Sequence, residues 1–442
     1  MFSFRSLFAL KIVFIFVFCL LFPSDTSVSA QSELQSLIDQ ASPGDEVVLP
    51  EGVYEEELVI TKPLKIIGDG VTLKNSQSEV AIHIKSDQVY LTGLTVIHEN
   101  DGPNSTAILI EGNDNIIKHL IIRSIGIGVI LNEAHRNYLE QLQIERDKPV
   151  NLADTSMGSR QGNGIDLFGS HDNVLHNNTM INLLDGVYLE SSRGNIVEFN
   201  NVTNSRYGFH LMFTENTTLS NNSASQNITG AMVMGTSGTT ITFNNLSKQH
   251  YHVHSQGLLL YDVHDATIQG NIVSENLIGI YIERSSNNIV FENKVLANFV
   301  GLQLNKVENH DIYHNDFYTN VVQARVTDSP TNRVSENYWD THAGLDFTGD
   351  GKSELAFSAD PIFLSLVEKK PPYQLLSQSP GLLFLDLLLD KNEAGILRDS
   401  SPLMEPYQQQ LTFIQEKYTY DIFVYLFLIG LSITIILGGI RR

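Results

Sequence analysis

The chain has 442 residues, of which 42% are hydrophobic and 18% charged, and its formal net charge is −22 at pH 7. This balance is that of an ordinary globular protein. The strong negative charge argues against nucleic acid or anionic lipid as a partner, and it is compatible with cations or with basic patches on other proteins.

The first thirty residues have the features of an export signal. Arg5 and Lys11 precede the apolar run IVFIFVFCLLF, and Val28 to Ala30 supply the small residues of a cleavage site. We predict a cleaved signal peptide over residues 1–30. A membrane anchor is the alternative, although the run is shorter than the ~20 residues of a membrane span. Cys19, the only cysteine, lies inside the signal, so disulfides and cysteine-ligated zinc are not expected in the mature protein.

A 22-residue repeat organises most of the chain, and two independent residue types mark it. Glycine opens successive units at Gly128, Gly164, Gly186, Gly208 and Gly230, and then at Gly257, Gly279 and Gly301, before Gln323 takes the same place. Asparagine recurs at Asn178, Asn200, Asn222 and Asn244, and then at Asn271, Asn293, Asn315 and Asn337. Sequence repeats of this length are typical of solenoid proteins.

Each repeat contains three short β-type runs separated by Gly, Asn, Ser or Asp, and none shows helical spacing, which disfavours a leucine-rich repeat. We therefore predict an all-β, right-handed parallel β-helix over residues 31–365, terminal cap included. Successive coils of such a solenoid lie about 4.8 Å apart. We interpret the asparagines as structural, because Asn tolerates left-handed corners and stacked amides hydrogen-bond to one another.

The strand that follows each marker glycine has a predicted inner and outer side. With the glycine counted as position 1, positions 2 and 4 are apolar in every coil, so positions 3 and 5 point outward. On two consecutive coils the outward residues are His210 with Met212 and Met232 with Met234. Thioether and imidazole ligands suit Cu(I), which predicts a soft-metal site facing the medium. The alternatives are an apolar contact patch and methionines that are simply packed.

Two insertions interrupt the repeat. The step from Gly230 to Gly257 is five residues longer than the period and contains KQHYHVHSQ, in which His250, His252 and His254 alternate. If this stretch is extended, all three imidazoles project from one side and add ligands for a borderline metal; a solvated loop is the alternative. The step from Gly128 to Gly164 is fourteen residues longer than the period, and loops of this length often contact a substrate or partner.

The last part of the chain contains three further features. DFTGDGKSE places four polar residues in the order of a calcium loop, Asp346, Thr348, Asp350 and Glu354, but Phe357 stands where a bidentate Glu is expected; a tight capping turn is the alternative. Residues 366–421 are predicted to form a linker and docking segment. Residues 422–440 lack charge and precede Arg441 and Arg442, which predicts a single transmembrane helix with the bulk of the chain outside the cytoplasm.

Several motifs resemble the NosD family of exported β-helical proteins. They are RYGFHLMF (Arg206 to Phe213), ITGAMVM, QGLLLYDV, ENYWDTHAGLDFTGDGKSE and SPGLLFL. Arg206, Tyr207, Gly208, His210, Met212 and Met234 match the family pattern, whereas Met232 and the three histidines of HYHVH do not belong to it.

The resemblance implies a non-enzymatic accessory protein that helps to assemble the copper-sulfur centre of nitrous oxide reductase, as part of denitrification. The implied partners are an ABC-type permease and ATPase, a copper-donor lipoprotein and the reductase as client. In this reading Arg206 and Tyr207 contact a partner.

The rival prediction is a β-helical lyase, hydrolase or epimerase acting on uronate polysaccharides. It requires clustered outward acids, for which Asp166, Asp185 and Glu190 are the candidates. A passive scaffold is a third alternative, although it leaves His210, Met212 and Met234 unexplained.

Overall fold

The structure is a computed structural model that describes residues 33–146, 162–249, 252, 255–359 and 396–407. Within these residues, one α-helix precedes a stack of short parallel strands that form three long sheets. The helix, α1 (Glu33–Gln40), buries Leu34 and Ile38 in the core. The predicted parallel β-helix is confirmed, and it is right-handed with about 12 coils among the described residues.

The first sheet contains 13 described strands, one per coil. They are β1 (Glu46–Val48), β4 (Lys65–Ile67), β7 (Tyr90–Thr92), β10 (Ile116–Lys118), β13 (Tyr138–Glu140), β16 (Val174–His176), β19 (Ile196–Glu198), β22 (Thr218–Ser220), β25 (Thr240–Thr242), β28 (Thr267–Gln269), β31 (Ile289–Phe291), β34 (Asp311–Tyr313) and β37 (Arg333–Ser335).

The second sheet also has 13 described strands. They are β2 (Gly52–Tyr54), β5 (Val71–Asn75), β8 (Thr95–His98), β11 (Ile121–Ser124), β14 (Gln143–Glu145), β17 (Thr179–Ile181), β20 (Asn201–Thr203), β23 (Ser223–Ser225), β26 (Asn245–Ser247), β29 (Ile272–Ser274), β32 (Lys294–Leu296), β35 (Asp316–Tyr318) and β38 (Tyr338–Trp339).

The third sheet has 12 described strands and includes those that follow the marker glycines. They are β3 (Leu58–Ile60), β6 (Val80–Ile84), β9 (Thr106–Ile110), β12 (Ile127–Asn132), β15 (Ile165–Phe168), β18 (Asp185–Glu190), β21 (Tyr207–Met212), β24 (Thr229–Met234), β27 (Gln256–Tyr261), β30 (Ile278–Glu283), β33 (Val300–Asn305) and β36 (Val322–Thr327). A separate antiparallel pair, β39 (Phe357–Ser358) and β40 (Arg398–Asp399), lies at the C-terminal end.

The marker glycines occupy places where neighbouring coils approach closely. A Cβ atom at Gly208 would lie 2.4 Å from the carbonyl oxygen of Gly230 and 2.8 Å from the Cβ of Ala224. At Gly186 it would lie 2.4 Å from a methyl group of Val202. Glycine at these positions therefore gives the neighbouring coils the space they need, which explains why it recurs from Gly128 to Gly301.

The asparagine marker forms a buried hydrogen-bonded ladder, as predicted. Both the backbone N–H and the side-chain amide of Asn200 donate to Oδ1 of Asn222, at 2.9 and 3.1 Å, and Asn222 donates to Asn244 in the same way. The expectation that these asparagines adopt the left-handed conformation is wrong. The residue before each one has positive φ, for example Phe199 and Asn221, because the ladder side chain must point inward to reach its partners.

The ladder ends on a carboxylate from the C-terminal segment. Asp399 is fully buried, and its Oδ2 accepts hydrogen bonds from the backbone N–H and side-chain amide of Asn337 and from Trp339 Nε1, all at 3.0 Å. The Trp339 ring stacks between Phe317 and Phe357, with ring centroids 4.3 Å apart on each side. Residues 396–407, which the sequence assigned to the linker, thus close this end of the solenoid.

The predicted signal peptide and transmembrane helix lie outside the described residues. No helix in the described part of the chain is both long and apolar enough to cross a membrane.

Candidate metal-binding site

The register of the third sheet brings the predicted soft ligands together. β21 pairs in parallel with β24, so that His210 is aligned with Met232 and Met212 with Met234. Aligned residues on neighbouring strands lie about 4.8 Å apart. Phe209 and Leu211, which alternate with this patch, are in the core. The predicted juxtaposition on the outer side of the sheet is therefore confirmed, whereas metal binding by these residues stays a prediction.

The expectation that the whole patch faces the medium is wrong for His210. This residue is only 8% exposed. The rings of Tyr188 and Tyr207 cover it in edge contacts, with centroids 4.9 and 5.1 Å from the imidazole. The three methionines are half-buried. A ligand from solvent therefore meets the thioethers before it meets the imidazole.

A buried carboxylate holds one nitrogen of His210. Asp185, the first residue of β18, is 1% exposed, and its Oδ2 lies 2.9 Å from His210 Nδ1. Arg206 donates Nε–H to Oδ1 and an Nη2 hydrogen to Oδ2 of Asp185, both at 2.8 Å. Burial raises the pKa of Asp185, but the hydrogen bonds from His210 and Arg206 outweigh it and leave the pKa below its usual value. Because the permanently charged guanidinium of Arg206 donates to both of its oxygens, Asp185 is an ionised acceptor.

The other nitrogen of His210 is left without a partner. His210 Nε2 is buried and makes no hydrogen bond with any residue that the structure describes. Buried polar atoms normally find a partner, so this atom has an unused coordination position. Imidazole nitrogen beside thioether sulfur is a donor set that fits copper, above all Cu(I), and does not fit calcium or magnesium. The residues present thus fit the metal that the sequence predicts.

The structure shows two contributors that the sequence analysis did not assign to this site. Asp185 appeared there only as an acid of the rival enzyme. Tyr188 is 7% exposed, and its hydroxyl lies 2.8 Å from Glu190 Oε2 and 3.6 Å from Met212 Sδ. Asp185 stands immediately before a marker glycine, so the glycine register could have placed it one coil before Tyr207.

Arg206 and Tyr207, predicted to contact a partner, are part of the same cluster. The Arg206 guanidinium lies over the Tyr207 ring at 4.6 Å from its centroid, and its side chain is 11% exposed. Little of Arg206 is therefore available to a partner in this arrangement. The partner-binding role stays a prediction.

Carboxylate- and imidazole-rich metal sites are absent from the described residues, where no group of three or more His, Cys, Asp or Glu side chains could hold a metal ion. The candidate site depends on methionine sulfur instead. Any copper site here is thus mainly a thioether site with one imidazole.

The histidine insertion leaves the solenoid beside the third sheet. Gln249 Oε1 accepts a hydrogen bond from the backbone N–H of Asn227, and Gln256 is aligned with Thr229, so the extra residues fall between Gln249 and Gln256. Arg206 occupies the corresponding corner two coils earlier.

Of the three predicted ligands in this insertion, His250 and His254 lie outside the described residues. His252 is exposed, and its backbone N–H donates to Ser255 Oγ while its carbonyl accepts from the Ser255 N–H, each at 3.0 Å. His252 and Ser255 are therefore joined by two hydrogen bonds. Metal binding by the triplet stays a prediction.

The predicted calcium loop is a turn whose carboxylates bind backbone amides. Asp346 accepts N–H hydrogen bonds from Gly349 at 2.6 Å and from Gly351 at 2.9 Å. Glu354 accepts them from Phe347 at 2.9 Å and Thr348 at 3.2 Å. Hydrogen bonds from Gly351 and Gly349 lower the pKa of Asp346. Asp350 Oδ1 likewise accepts the Lys352 N–H. Backbone hydrogen bonds thus hold both carboxylates in the turn, and calcium binding stays a prediction.

The acids of the rival enzyme all have partners. Asp166 accepts a hydrogen bond from the Asn163 amide at 2.9 Å, Glu190 accepts one from the Tyr188 hydroxyl, and Asp185 is held by Arg206 and His210. The three carboxylates lie on the third sheet, but each is engaged by a different neighbour.

Part of the chain matches a known protein family. Residues 150–349 match the family described as "Periplasmic copper-binding protein (NosD)", so the resemblance seen in the sequence is confirmed. The matched range includes His210, Met212, Met232 and Met234. No curated protein matches the chain.

Solved β-helix enzymes are similar in structure. A double mutant of the periplasmic alginate epimerase AlgG has a TM-score of 0.52 and 15% identity, with 69% of this chain and 86% of that chain covered. DFA-IIIase from Arthrobacter chlorophenolicus A6 has a TM-score of 0.45 and 13% identity, with 61% and 83% covered. At 15% identity the likeness to the AlgG structure shows the fold alone.

Proposed function

We propose that this chain, a NosD-type periplasmic β-helix protein, binds copper as Cu(I) on the outer side of its third sheet and passes it on without catalysing a reaction. The observation that supports this most directly is the alignment of His210 with Met232 and of Met212 with Met234, beside an imidazole nitrogen that has no hydrogen-bond partner among the described residues. Soft donors of this kind favour Cu(I) over harder cations.

The partial burial of the site suits a carrier. Thioethers are weaker and more labile ligands than thiolates, and here the three methionines are half-buried while the imidazole lies beneath two tyrosine rings. Copper would enter and leave through the methionines, with His210 as the inner ligand. Asp185 and Arg206 are too deeply engaged with each other to be ligands themselves.

The wider role follows from the family resemblance. We propose that the protein receives copper from a copper-donor lipoprotein, works with an ABC-type permease and ATPase, and serves assembly of the copper-sulfur centre of nitrous oxide reductase. A C-terminal transmembrane helix over residues 422–440 would hold it at the membrane. The family match over residues 150–349, a range that contains RYGFHLMF, supports the copper-related role.

Competition titration of the purified full-length chain with Cu(I) and a chromogenic Cu(I) chelator tests the proposal. The wild type should take copper from the chelator, and a variant with His210→Ala, Met212→Ala and Met234→Ala should bind at least a hundred-fold more weakly. Met404→Ala is the matched control, because Met404 is 38% exposed and lies in the C-terminal cap; it should titrate like the wild type. An unchanged triple variant would remove the proposed site.

The rival function is tested on the same preparation. Incubation with alginate or pectin, followed by viscosity and uronate analysis, should show no change. Depolymerisation or epimerisation that is lost in Asp185→Asn would favour the enzyme.

A further inference from the structure

We infer that Asp185, fixed by Arg206, sets the tautomer of His210, so that Nδ1 carries the proton and Nε2 presents its lone pair to the metal. This inference rests on the proposed function for its consequence, but the tautomer itself is a property of the metal-free protein. It gives Asp185 and Arg206 the role of positioning residues.

The contact between His210 Nδ1 and Asp185 shows which ring nitrogen bears the hydrogen. An ionised carboxylate can only accept hydrogen bonds. Since Asp185 Oδ2 lies 2.9 Å from Nδ1, Nδ1 must bear the hydrogen. In a neutral imidazole the proton then cannot also reside on Nε2, which leaves Nε2 as the nitrogen with the lone pair.

The second step is that Asp185 cannot turn away. Arg206 binds both carboxylate oxygens, each at 2.8 Å, and such a two-point contact fixes the plane of the carboxylate. Arg206 is held in turn over the Tyr207 ring. The preceding coil thus presents a fixed acceptor to His210.

The third step concerns the imidazole ring itself. Tyr188 and Tyr207 contact it edge-on at 4.9 and 5.1 Å, with interplanar angles of 62° and 78°. Two rings of this kind oppose rotation of the imidazole. In the Nδ1–H tautomer Nε2, which is buried and has no hydrogen-bond partner in the described part of the chain, is therefore held in place, with Met232 as the aligned neighbour on the following coil.

This arrangement also gives a function to His210 Nε2, a buried polar atom whose missing hydrogen bond would otherwise only lower the stability of the fold. A carboxylate behind a metal-bound histidine fixes the ring and makes the ligand nitrogen more basic, and its loss typically weakens metal binding 10- to 100-fold. Here the carboxylate comes from one coil and the histidine from the next, so the solenoid register aligns them.

The test reads the tautomer directly. The full-length protein is labelled with ¹⁵N-histidine, and long-range ¹H–¹⁵N correlation spectra of the metal-free protein identify the protonated nitrogen of each ring, with His210→Ala assigning the signals. We expect His210 in the Nδ1–H form. Protonation at Nε2 in the wild type would overturn the inference, and this result requires no variant.

Asp185→Asn supplies the second readout. The Asn side chain can donate its amide hydrogen to Nδ1, which would move the ring proton to Nε2 and lower Cu(I) affinity about 10- to 100-fold. Asp114→Asn is the control, because Asp114 forms the same two-point contact with Arg136 at 2.7 Å on an exposed surface; it should change neither readout.

The two proposals fail in different ways. A wild type with the Nδ1–H form that does not bind Cu(I) would overturn the proposed function and leave the tautomer assignment intact. If the wild type binds Cu(I) and Asp185→Asn binds it with the same affinity, the inference is overturned and the proposed function stands. If Asp185→Asn does not fold, the wild-type spectrum still decides the tautomer.

Discussion

Two histidines of this solenoid are both buried, but the Nδ1 atoms of their rings have partners of opposite kinds. His210 is 8% exposed and His310 is 0% exposed, and in each of them Nε2 has no hydrogen-bond partner among the described residues. The difference is at Nδ1. In His310 it accepts the backbone N–H of Asn288 at 3.0 Å, so the proton must sit on Nε2. In His210 it faces a carboxylate.

The comparison separates a structural histidine from a candidate ligand. His310 occupies a ladder position that asparagine fills in neighbouring coils, since its own backbone N–H donates to Asn332 Oδ1 and its Nδ1 serves as the acceptor for Asn288. Its Nε2–H repels a metal cation. His210 presents a lone pair instead. The partner of Nδ1, rather than burial or residue type, distinguishes the structural histidine from the proposed copper ligand.

The largest expected effect concerns His310 and pH. Burial lowers the pKa of His310 from 6.5 to about 4. Above pH 6.5 both the folded and the unfolded forms are neutral, so there is no penalty. As the pH falls from 6.5 through 4, the unfolded chain takes up the proton first, and the free energy of unfolding should fall by about 3 kcal/mol. Urea denaturation at pH 7 and pH 4 measures this loss.

His310→Asn is the matched variant for that loss, because an Asn amide oxygen can accept the Asn288 N–H. Its unfolding free energy should depend less on pH by the same amount, while its Cu(I) affinity at pH 7 should equal that of the wild type. A variant with the full acid sensitivity of the wild type would show that other groups are responsible.

The second largest effect concerns Asp399, a residue outside the repeat that accepts the last hydrogen bonds of the asparagine ladder. Asp399→Ala would leave three donors of Asn337 and Trp339 without their acceptor. We expect a loss of about 2 kcal/mol in the free energy of unfolding. Asp399→Asn keeps one acceptor oxygen and should lose less. Equal losses in the two variants would mean that the charge matters more than the hydrogen bonds.

The third effect concerns the residue aligned with His210. Met232→Ala should lower Cu(I) affinity about tenfold, because it removes one thioether from the site. Met232→Leu is the control for packing, since it preserves the volume without the sulfur, and it should bind as weakly as the alanine variant. If the leucine variant binds like the wild type, Met232 serves only to pack against its neighbours, in agreement with its place outside the family pattern.

The sequence was sufficient for the fold and for part of the site. Gly and Asn at a fixed period predicted the coils, and the register of Gly208 and Gly230 aligned His210 with Met232. It could not show that two tyrosines cover His210, because strand alternation predicts direction and not exposure. It also could not show that Asp185 is aimed at Nδ1, since the residue before a marker glycine is Tyr207 or Thr229 in the following coils. Rotamers and ring contacts, which decide the chemistry, do not follow from a period.

The smallest expected effect is at the turn around Asp346. Its carboxylate and that of Glu354 already bind four backbone N–H groups between them, so a cation would have to compete with these hydrogen bonds. We expect the thermal midpoint of unfolding to be the same in calcium and in excess chelator. Asp346→Asn, which keeps one acceptor oxygen, should lower the free energy of unfolding by about 1 kcal/mol in both conditions. A midpoint that rises with calcium in the wild type, and does not rise in Asp346→Asn, would instead establish a calcium site at the end of the solenoid.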